Sequence, residues 1–167
     1  MAGKIESILN WGKIELFAMD VDGILTDGSL FVSSDGSESK RFSIIDGMGL
    51  ALLRESGVKI AWISGRGSEA TQRRADELKI PYVVQGELDK VTALRALTEE
   101  LELSPDQCVY MGDDIIDADA IRWAGIGVTV PEGQFEAIEA ANLITNRPGG
   151  SGAVREVCNH ILAARSQ

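Results

Sequence analysis

The chain has 167 residues, of which 44% are hydrophobic and 25% charged, so we expect one domain, spanning residues 1–167, that can bury an ordinary hydrophobic core. Its formal net charge of −10 argues against nucleic acid and anionic membranes as partners, because both would repel an acidic surface. The two cysteines, Cys108 and Cys158, are too few for a disulfide framework and fall in apolar patterns typical of small core residues. Residues 1–12 lack the apolar segment of a leader, and no apolar run reaches membrane-spanning length, which predicts a cytoplasmic protein.

Strand-like apolar runs alternate with helical patterns along most of the chain. Strands are predicted at residues 15–20, 58–63, 82–84, 108–111, 127–130 and 143–144. Helices are predicted at residues 4–10, 47–56, 68–78, 89–101, 115–124, 135–141 and 153–165. This alternation predicts an α/β fold with a doubly wound, Rossmann-like parallel sheet and helices on both faces.

Only residues 29–42 interrupt the alternation. The apolar Leu30-Phe31-Val32 and the segment Lys40-Arg41-Phe42 flank a turn-forming Ser34-Asp35-Gly36-Ser37, which predicts a β-hairpin. A lone hairpin is marginally stable in water and needs a surface to pack on. We therefore expect it either to fold over the chain's own rim as a flap or to form a contact between subunits.

Polar side chains stand at the carboxyl ends of three predicted strands and at the start of one helix: Asp20 and Asp22, Ser64, Asp113 and Asp114, and Lys90. Because the carboxyl ends of parallel strands share one edge, where ligands bind, we expect these groups to converge. Each has a plainer alternative when taken alone, as a turn residue, an acidic helix start or a solvated lysine. Their combination favours a functional site.

The chemistry of this edge is that of phosphoryl transfer. Carboxylates are the ligands of Mg²⁺, a hard cation that prefers oxygen and that would let an anionic carboxylate approach a phosphate. A carboxylate can then act as the nucleophile and form an aspartyl-phosphate intermediate. A hydroxyl, backbone N–H groups and an ammonium group would stabilise the phosphoryl oxygens as charge moves.

Two segments carry a family resemblance. The strand followed by Asp20-x-Asp22-Gly23-x-x-Thr26-Asp27-Gly28 resembles motif I of the haloacid dehalogenase phosphatases. The tail from Arg147 to Cys158, with its run Gly149-Gly150-Ser151-Gly152, is similar to that of their 3-deoxy-D-manno-octulosonate 8-phosphate (KDO 8-phosphate) phosphatase branch. The resemblance covers residues 16–164. It implies a core without a cap domain, a homotetramer whose neighbouring subunits close each site, and Mg²⁺-dependent hydrolysis of a sugar-acid phosphate in lipopolysaccharide precursor synthesis.

The resemblance also implies roles by motif position. Asp20 corresponds to the nucleophile and Asp22 to the general acid/base, and the Mg²⁺ ligands would be Asp20, Asp113 and the backbone carbonyl of Asp22. Ser64 and Lys90 would hold the phosphate. Asp114 is expected to orient Lys90 or the metal ligands. Asp117 is expected to contact the metal ligands without binding the metal itself. The alternative for Asp117, a helix cap or a solvent-facing residue, is nearly as well supported. The substrate-binding candidates are Asp22, Asp46, Gly47, Gly65, Arg66 and Arg74.

Arginine pairs bidentately with carboxylates, so Arg66 and Arg74 are the candidates for the sugar-acid carboxylate, with a solvated helix face as the alternative for Arg74. Family members often carry arginines where this chain has Ile45 and Ala51. Two expected cations are therefore missing, and hairpins of several subunits could replace them by placing Lys40 or Arg41 near a neighbour's site.

These departures keep other functions open. A nonulosonate 9-phosphate is the alternative substrate, although that sister group tends to have Glu at the position of Arg66. A retired family domain, a phosphoacceptor receiver module and a pure interaction protein are the remaining alternatives. Two interpretations of the glycine-rich tail stay open: a flexible loop that reaches a site, of its own chain or of a neighbour, or an ordinary linker before a helix.

Overall fold

The computed structural model describes residues 9–166, so residues 4–8 of the first predicted helix lie outside the described part of the chain. The strands are β1 (Leu16–Met19), β2 (Phe31–Val32), β3 (Glu38–Ser39), β4 (Lys59–Ser64), β5 (Tyr82–Gln85), β6 (Cys108–Met111), β7 (Ile126–Thr129) and β8 (Leu143–Ile144). The α-helices are α1 (Ile44–Glu55), α2 (Glu69–Leu78), α3 (Lys90–Glu100), α4 (Ala118–Trp123), α5 (Phe135–Ala140) and α6 (Ala153–Arg165).

Six strands form one parallel sheet in the order β5-β4-β1-β6-β7-β8, which confirms the predicted fold class. β1 lies in the middle, with Leu16 opposite Lys59 of β4 on one side and Cys108 of β6 on the other. The chain builds outward from β1 through β4 and β5, then returns to add β6 on the opposite side. The strand order thus reverses between β1 and β6, and ligands bind at such a crevice in open α/β sheets.

Helices cover both faces of the sheet. Phe17 and Met19 of β1 face a core that α1 and α6 complete, whereas the alternate residues Leu16 and Ala18 face a core shared with α3, α4 and α5. Burial on both sides explains why β1 is a continuous apolar run instead of an alternating one. Both cysteines are buried in these cores, as predicted. Within residues 9–166 no helix combines the length and the apolar character needed to cross a membrane.

The predicted hairpin exists, but its return strand is displaced. β2 pairs with β3 at Glu38–Ser39, so the prediction of residues 40–42 as the return strand is wrong. Those residues leave the ladder because their side chains bind the body of the protein. Lys40 contacts Asp22, and the Phe42 ring stacks on Trp62 of β4 at a centroid distance of 6.3 Å.

Two helix boundaries differ from the prediction for reasons that lie in side chains. α1 begins three residues early because the Ser43 hydroxyl accepts from the N–H groups of Ile45 and Asp46, an N-cap that the sequence interpretation overlooked. The helix predicted at 115–124 is split into a 3-10 turn, Ile115–Asp117, and α4. At this junction the Asp117 carboxylate accepts from the N–H groups of Asp113 and Asp114 in the preceding loop, which accounts for the break in the helix.

Asp46 and Gly47 lie at the packing junction of α1. The buried Asp46 carboxylate accepts from the N–H groups of Gly152 (3.2 Å) and Arg155 (2.9 Å) and so caps the start of α6. Burial raises the pKa of Asp46, and these backbone donors oppose that shift. Gly47 packs beneath α2, where an added Cβ would lie 2.6 Å from Nη2 of Arg74. Both residues thus connect helices.

Asp46→Ala should lower the free energy of unfolding by about 1–3 kcal/mol, because it leaves two donors at the start of α6 without their acceptor. Chemical denaturation measures this loss, with Asp76→Ala on the exposed face of α2 as a control expected to change stability by less than about 0.5 kcal/mol. Unchanged stability together with a raised KM for the phosphate substrate would instead support the substrate-binding role predicted from sequence.

Candidate active site

A cavity of about 270 Å³ opens at the carboxyl ends of the central strands. It is lined by Asp20, Asp22, Gly65, Arg66, Leu88, Asp113, Asp114 and Ile116. Four loops therefore meet here, those that follow β1, β4, β5 and β6, and the strand-end pattern predicted the first, second and fourth of them. Leu88 and Ile116 add an apolar lip, and an added Cβ at Gly65 would touch both of them, at 3.0 and 3.3 Å.

Asp20 continues β1 into the cavity and is only 5% exposed. Its Oδ1 accepts from its neighbour Val21 N–H at 2.7 Å and lies 3.0 Å from Nζ of Lys90. Burial raises the pKa of Asp20 to about 7, and the negative charge of Asp117 adds to this shift while Lys90 opposes it. Asp20 is thus a carboxylate held in place through one oxygen.

Lys90 is fully buried behind the cavity wall, at the start of α3. Its ammonium donates to the carbonyl of Ile63 (2.7 Å) and to Oδ1 of Asp117 (3.3 Å) as well as pairing with Asp20. The same Asp117 oxygen accepts from the Tyr110 hydroxyl at 2.7 Å. Burial and the adjacent Asp117 raise the pKa of Tyr110 well above its ordinary value, so this hydroxyl remains a donor.

Asp117 also organises the loop after β6. Its Oδ2 accepts from the N–H groups of Asp113 and Asp114, each at 3.1 Å. Both oxygens of Asp117 are therefore committed to donors. The contact with Lys90 that was expected from Asp114 belongs to Asp117, because the Asp114 carboxylate caps the 3-10 turn and accepts from Ile115 N–H at 2.7 Å.

Asp113 has a buried oxygen, Oδ1, that no donor within residues 9–166 satisfies. Burial raises its pKa to about 8, with further contributions from the negative charges of Asp20, Asp117 and Asp114. Gly23 makes room for this carboxylate. It has φ +89°, and an added Cβ would lie 2.0 Å from Oδ2 of Asp113.

These acids fit a divalent cation. Carboxylate oxygens of Asp20, Asp113 and Asp117 lie within 4.8 Å of one another. Because Asp117 is saturated by donors, Asp20 and Asp113 are the two that face a cation. Burial raises the pKa of both residues, the negative charges of neighbouring carboxylates add to this shift, and Oδ1 of Asp113 has no donor within residues 9–166. A hard cation such as Mg²⁺ would compensate the charge of the two deprotonated carboxylates.

Ser64 and Arg66 shape the loop after β4. The Ser64 hydroxyl is buried, donates to the Arg66 carbonyl (2.9 Å) and accepts from Arg66 N–H (3.2 Å), so it does not line the cavity. The Arg66 side chain does, and its Nη1 bonds Oε2 of Glu38 on the hairpin at 2.6 Å. Arg74 lies elsewhere, paired with Glu77 at 2.7 Å on α2.

The cavity therefore gathers six of the predicted site residues at its surface, whereas Ser64, Lys90 and Asp117 support it from behind. Asp46, Gly47 and Arg74 do not line it, because each makes contacts between helices.

The structure brings to the site two residues that the sequence interpretation missed, Tyr110 and Thr26, and one that it placed differently, Lys40. Lys40 was expected near a neighbour's site, but its Nζ lies 2.7 Å from Oδ1 of Asp22 in the same chain. Tyr110 lies within an apolar strand, so only its position near the end of that strand, two residues before Gly112, could have indicated that it contacts the site. Thr26 accepts from the N–H groups of Gly23 (3.2 Å) and Gly28 (3.1 Å) through Oγ1, and its place in motif I was the available signal.

The glycine-rich tail packs against the same loop of its own chain. Gly150 N–H donates to the carbonyl of Ile24 at 2.9 Å. An added Cβ at Gly149 would lie 1.9 Å from the carbonyl oxygen of Gly23, so only glycine allows this approach. The tail thus packs directly against the turn after Asp22.

Comparison with known proteins agrees with this geometry. Residues 79–156 match the haloacid dehalogenase-like hydrolase family. The 3-deoxy-D-manno-octulosonate 8-phosphate phosphatase of Yersinia pestis is 37% identical over 155 residues, covering 93% of this chain and 83% of that protein.

Solved structures give the same result. The phosphatase of that name from Moraxella catarrhalis, in complex with magnesium, phosphate and KDO, has a TM-score of 0.94 at 45% identity and covers 99% of this chain and 94% of its own. The cobalt-bound enzyme from Haemophilus influenzae has a TM-score of 0.90 at 32% identity, covering 94% of this chain and 92% of its own. The chain therefore belongs to the 3-deoxy-D-manno-octulosonate 8-phosphate phosphatase family of haloacid dehalogenase-like hydrolases.

Proposed function

We propose that this protein is a Mg²⁺-dependent phosphatase that hydrolyses KDO 8-phosphate to KDO and inorganic phosphate. The observation that carries the proposal is the convergence of Asp20, Asp22 and Asp113 on one cavity at the sheet's switch point, with Lys90 paired to Asp20. The named activity of the relatives and the KDO bound to the Moraxella catarrhalis structure supply the substrate class.

In the proposed reaction, Asp20 attacks phosphorus through Oδ2, the oxygen that neither Val21 N–H nor Lys90 contacts. The sugar O8 leaves and takes a proton from Asp22, which gives the free sugar acid and an aspartyl-phosphate. A water molecule, which transfers its proton to Asp22, then attacks phosphorus and restores the Asp20 carboxylate. Lys90 keeps the nucleophile oriented because Asp117, the Ile63 carbonyl and burial fix its ammonium.

Asp20, Asp113 and the backbone carbonyl of Asp22 would hold Mg²⁺, which when bound neutralises phosphate charge beside the nucleophile. Asp117 positions this set by fixing the N–H groups of the Asp113 loop. The buried Ser64 orders the loop that carries Gly65 and Arg66, because its hydroxyl accepts from Arg66 N–H and donates to the Arg66 carbonyl. The Arg66 guanidinium reaches the cavity and would supply N–H donors for substrate oxygens there.

Arg66 is the proposed partner of the substrate carboxylate. A guanidinium has five N–H donors, so the bond from Nη1 to Glu38 leaves others for a second acceptor. The Arg66 side chain is 48% exposed at the cavity, which leaves it accessible. Arg74 is not proposed for this role, because it is paired on α2 away from the cavity.

Asp20→Asn should abolish turnover of KDO 8-phosphate, since an amide cannot form the acyl-phosphate, and Asp22→Asn should slow it by about 10²–10⁴-fold. EDTA should remove wild-type activity and Mg²⁺ should restore it. Phosphate release over a panel that includes a nonulosonate 9-phosphate measures these effects and the substrate preference. Asp119→Asn, on the exposed face of α4, is the control. Near-normal turnover by Asp20→Asn would contradict the nucleophile assignment, and faster release from the nonulosonate would contradict the substrate.

Metal binding should be pH-dependent with a defined sign. The folded-state pKa values of Asp20 and Asp113, about 7 and about 8, lie above the unfolded value for Asp of about 4. The metal-free fold thus binds more protons than the unfolded chain between these values, and its stability falls as pH rises through about 4 to 8. Mg²⁺ requires the deprotonated carboxylates, so it should stabilise most at high pH.

The measurement is the rise in Tm on replacing EDTA with about 10 mM Mg²⁺, which should be small near pH 5.5 and larger near pH 8. Asp113→Asn removes one ligand and should reduce the rise at the higher pH, whereas Asp119→Asn should not. An equal rise at both pH values would contradict the assignment of the cation to these two carboxylates.

We also propose that the chain assembles as a homotetramer through the hairpin. Phe31 and Val32 are 63% and 67% exposed, and Ile44 and Met48 at the start of α1 are 82% and 56% exposed. Large apolar side chains that form an exposed patch mark interaction surfaces, and we propose that these four belong to one. Such a contact would also stabilise a two-stranded hairpin, which is marginal on its own.

The double variant Phe31→Glu, Val32→Glu should reduce the mass measured by light scattering, because it would place charges in the proposed interface. Ser34→Glu in the exposed hairpin turn is the matched control and should leave the mass unchanged. A wild-type protein that is monomeric at about micromolar concentration would contradict the assembly.

A further inference from the structure

We propose that Lys40 is a positioning residue for Asp22, through which the hairpin sets the proton-transferring carboxylate; this rests on the proposed function, in which Asp22 moves the protons. Lys40 Nζ lies 2.7 Å from Oδ1 of Asp22, an ion-pair contact that lacks the alignment of a hydrogen bond, and it donates to Oγ1 of Thr71 at 3.1 Å. Its side chain is fully buried although its neighbours Ser39 and Arg41 are exposed.

Residues 38–42, the return segment of the hairpin, direct alternate side chains toward the body of the protein. Side chains two residues apart in an extended chain point to the same side. Glu38 bonds Arg66, Lys40 contacts Asp22, and Phe42 stacks on Trp62, so all three turn toward the body. Ser39 and Arg41 between them are exposed, although Arg41 reaches Asp27 at 3.6 Å. The return segment thus contacts two of the residues that line the cavity, Arg66 and Asp22.

Burial makes a purely structural role for the Lys40 charge costly. Removing an ammonium group from water costs several kcal/mol before its partners compensate, and an apolar side chain would avoid this cost. Phe42 already anchors the segment through its stacking on Trp62. The remaining function of the charge is to fix its partner, the carboxylate of Asp22.

Each acid of Asp20-Val21-Asp22 therefore has its own buried lysine. Lys90, which pairs with Asp20, is fixed by Asp117 and the Ile63 carbonyl. Lys40 has only the Thr71 hydroxyl as a further polar contact within the described residues. Its position consequently depends on the hairpin, and a displaced hairpin would displace Asp22.

The reaction offers a readout that distinguishes positioning from a general structural defect. In the first step Asp22 protonates the leaving oxygen, which a primary alcohol requires and p-nitrophenolate does not. In the second step Asp22 takes a proton from water, whichever alcohol has left. A misplaced Asp22 should therefore leave enzyme phosphorylation by p-nitrophenyl phosphate fast but make the aspartyl-phosphate long-lived. The signature is a burst of about one p-nitrophenolate per chain before slow turnover.

The test compares Lys40→Met with Asp22→Asn in rapid-mixing assays with Mg²⁺. We expect Lys40→Met to lower kcat for KDO 8-phosphate by about 10–100-fold with little change in KM, and to show the burst with p-nitrophenyl phosphate. Thr71→Val, which keeps the side-chain size and removes the hydroxyl, should act in the same direction more weakly. Lys13→Met, from an exposed ion pair with Asp106, is the control.

Wild-type kinetics in Lys40→Met would overturn the proposal. Equal losses on both substrates without a burst, while Asp22→Asn does show one, would overturn it too and leave the proposed function intact. A burst in both variants supports it. If Asp22→Asn itself showed normal turnover, the acid–base assignment would fail and the proposal with it. Should Lys40→Met not fold, the Thr71→Val burst decides the question.

Discussion

Repulsion among carboxylates is the constraint on which this site depends. Four acids approach one another at the carboxyl ends of β1 and β6: Asp20, Asp22, Asp113 and Asp117. Two buried lysines compensate part of this charge, Lys90 beside Asp20 and Asp117, and Lys40 beside Asp22. Burial, together with the negative charges of the neighbouring acids, still raises the pKa values of Asp20 and Asp113. The fold thus supports an arrangement that a divalent cation completes, and the binding of that cation stabilises the fold in return.

The topology explains how one chain can place so many acids together. β1 is the central strand and β6 its neighbour across the switch point, so the loops after both strands must share a crevice. Close approach then requires small residues. Gly23 admits the Asp113 carboxylate, and Gly149 in the tail packs against Gly23 in turn. The tail, more than 120 residues along the chain from Gly23, is therefore part of the site's framework.

The features that sequence predicted well are those set by local pattern. Strand ends follow from apolar runs, and parallel strands bring their ends to one edge, so the convergence of Asp20, Asp22 and Asp113 was predictable. Side-chain partners were not. Asp46 caps a helix 106 residues away, and nothing in the local pattern distinguishes such a cap from a substrate ligand. For the same reason the sequence could not decide whether Arg74 binds the substrate carboxylate or lies on a solvated helix face. The break before α4 depends on which N–H groups the Asp117 carboxylate reaches, which helical periodicity does not encode.

The hairpin joins two kinds of interaction that usually lie apart. Its outer side presents Phe31 and Val32 to solvent, whereas its inner side sends Glu38 and Lys40 to Arg66 and Asp22. A core without a cap domain has no second domain to close over its substrate. If the outer side is covered by another subunit, as proposed, the position of the inner side is fixed by that assembly. Subunit contact would then set the orientation of the Asp22 carboxylate. The connection is Lys40, which lies two residues after Glu38 on the same face of the chain and contacts Asp22.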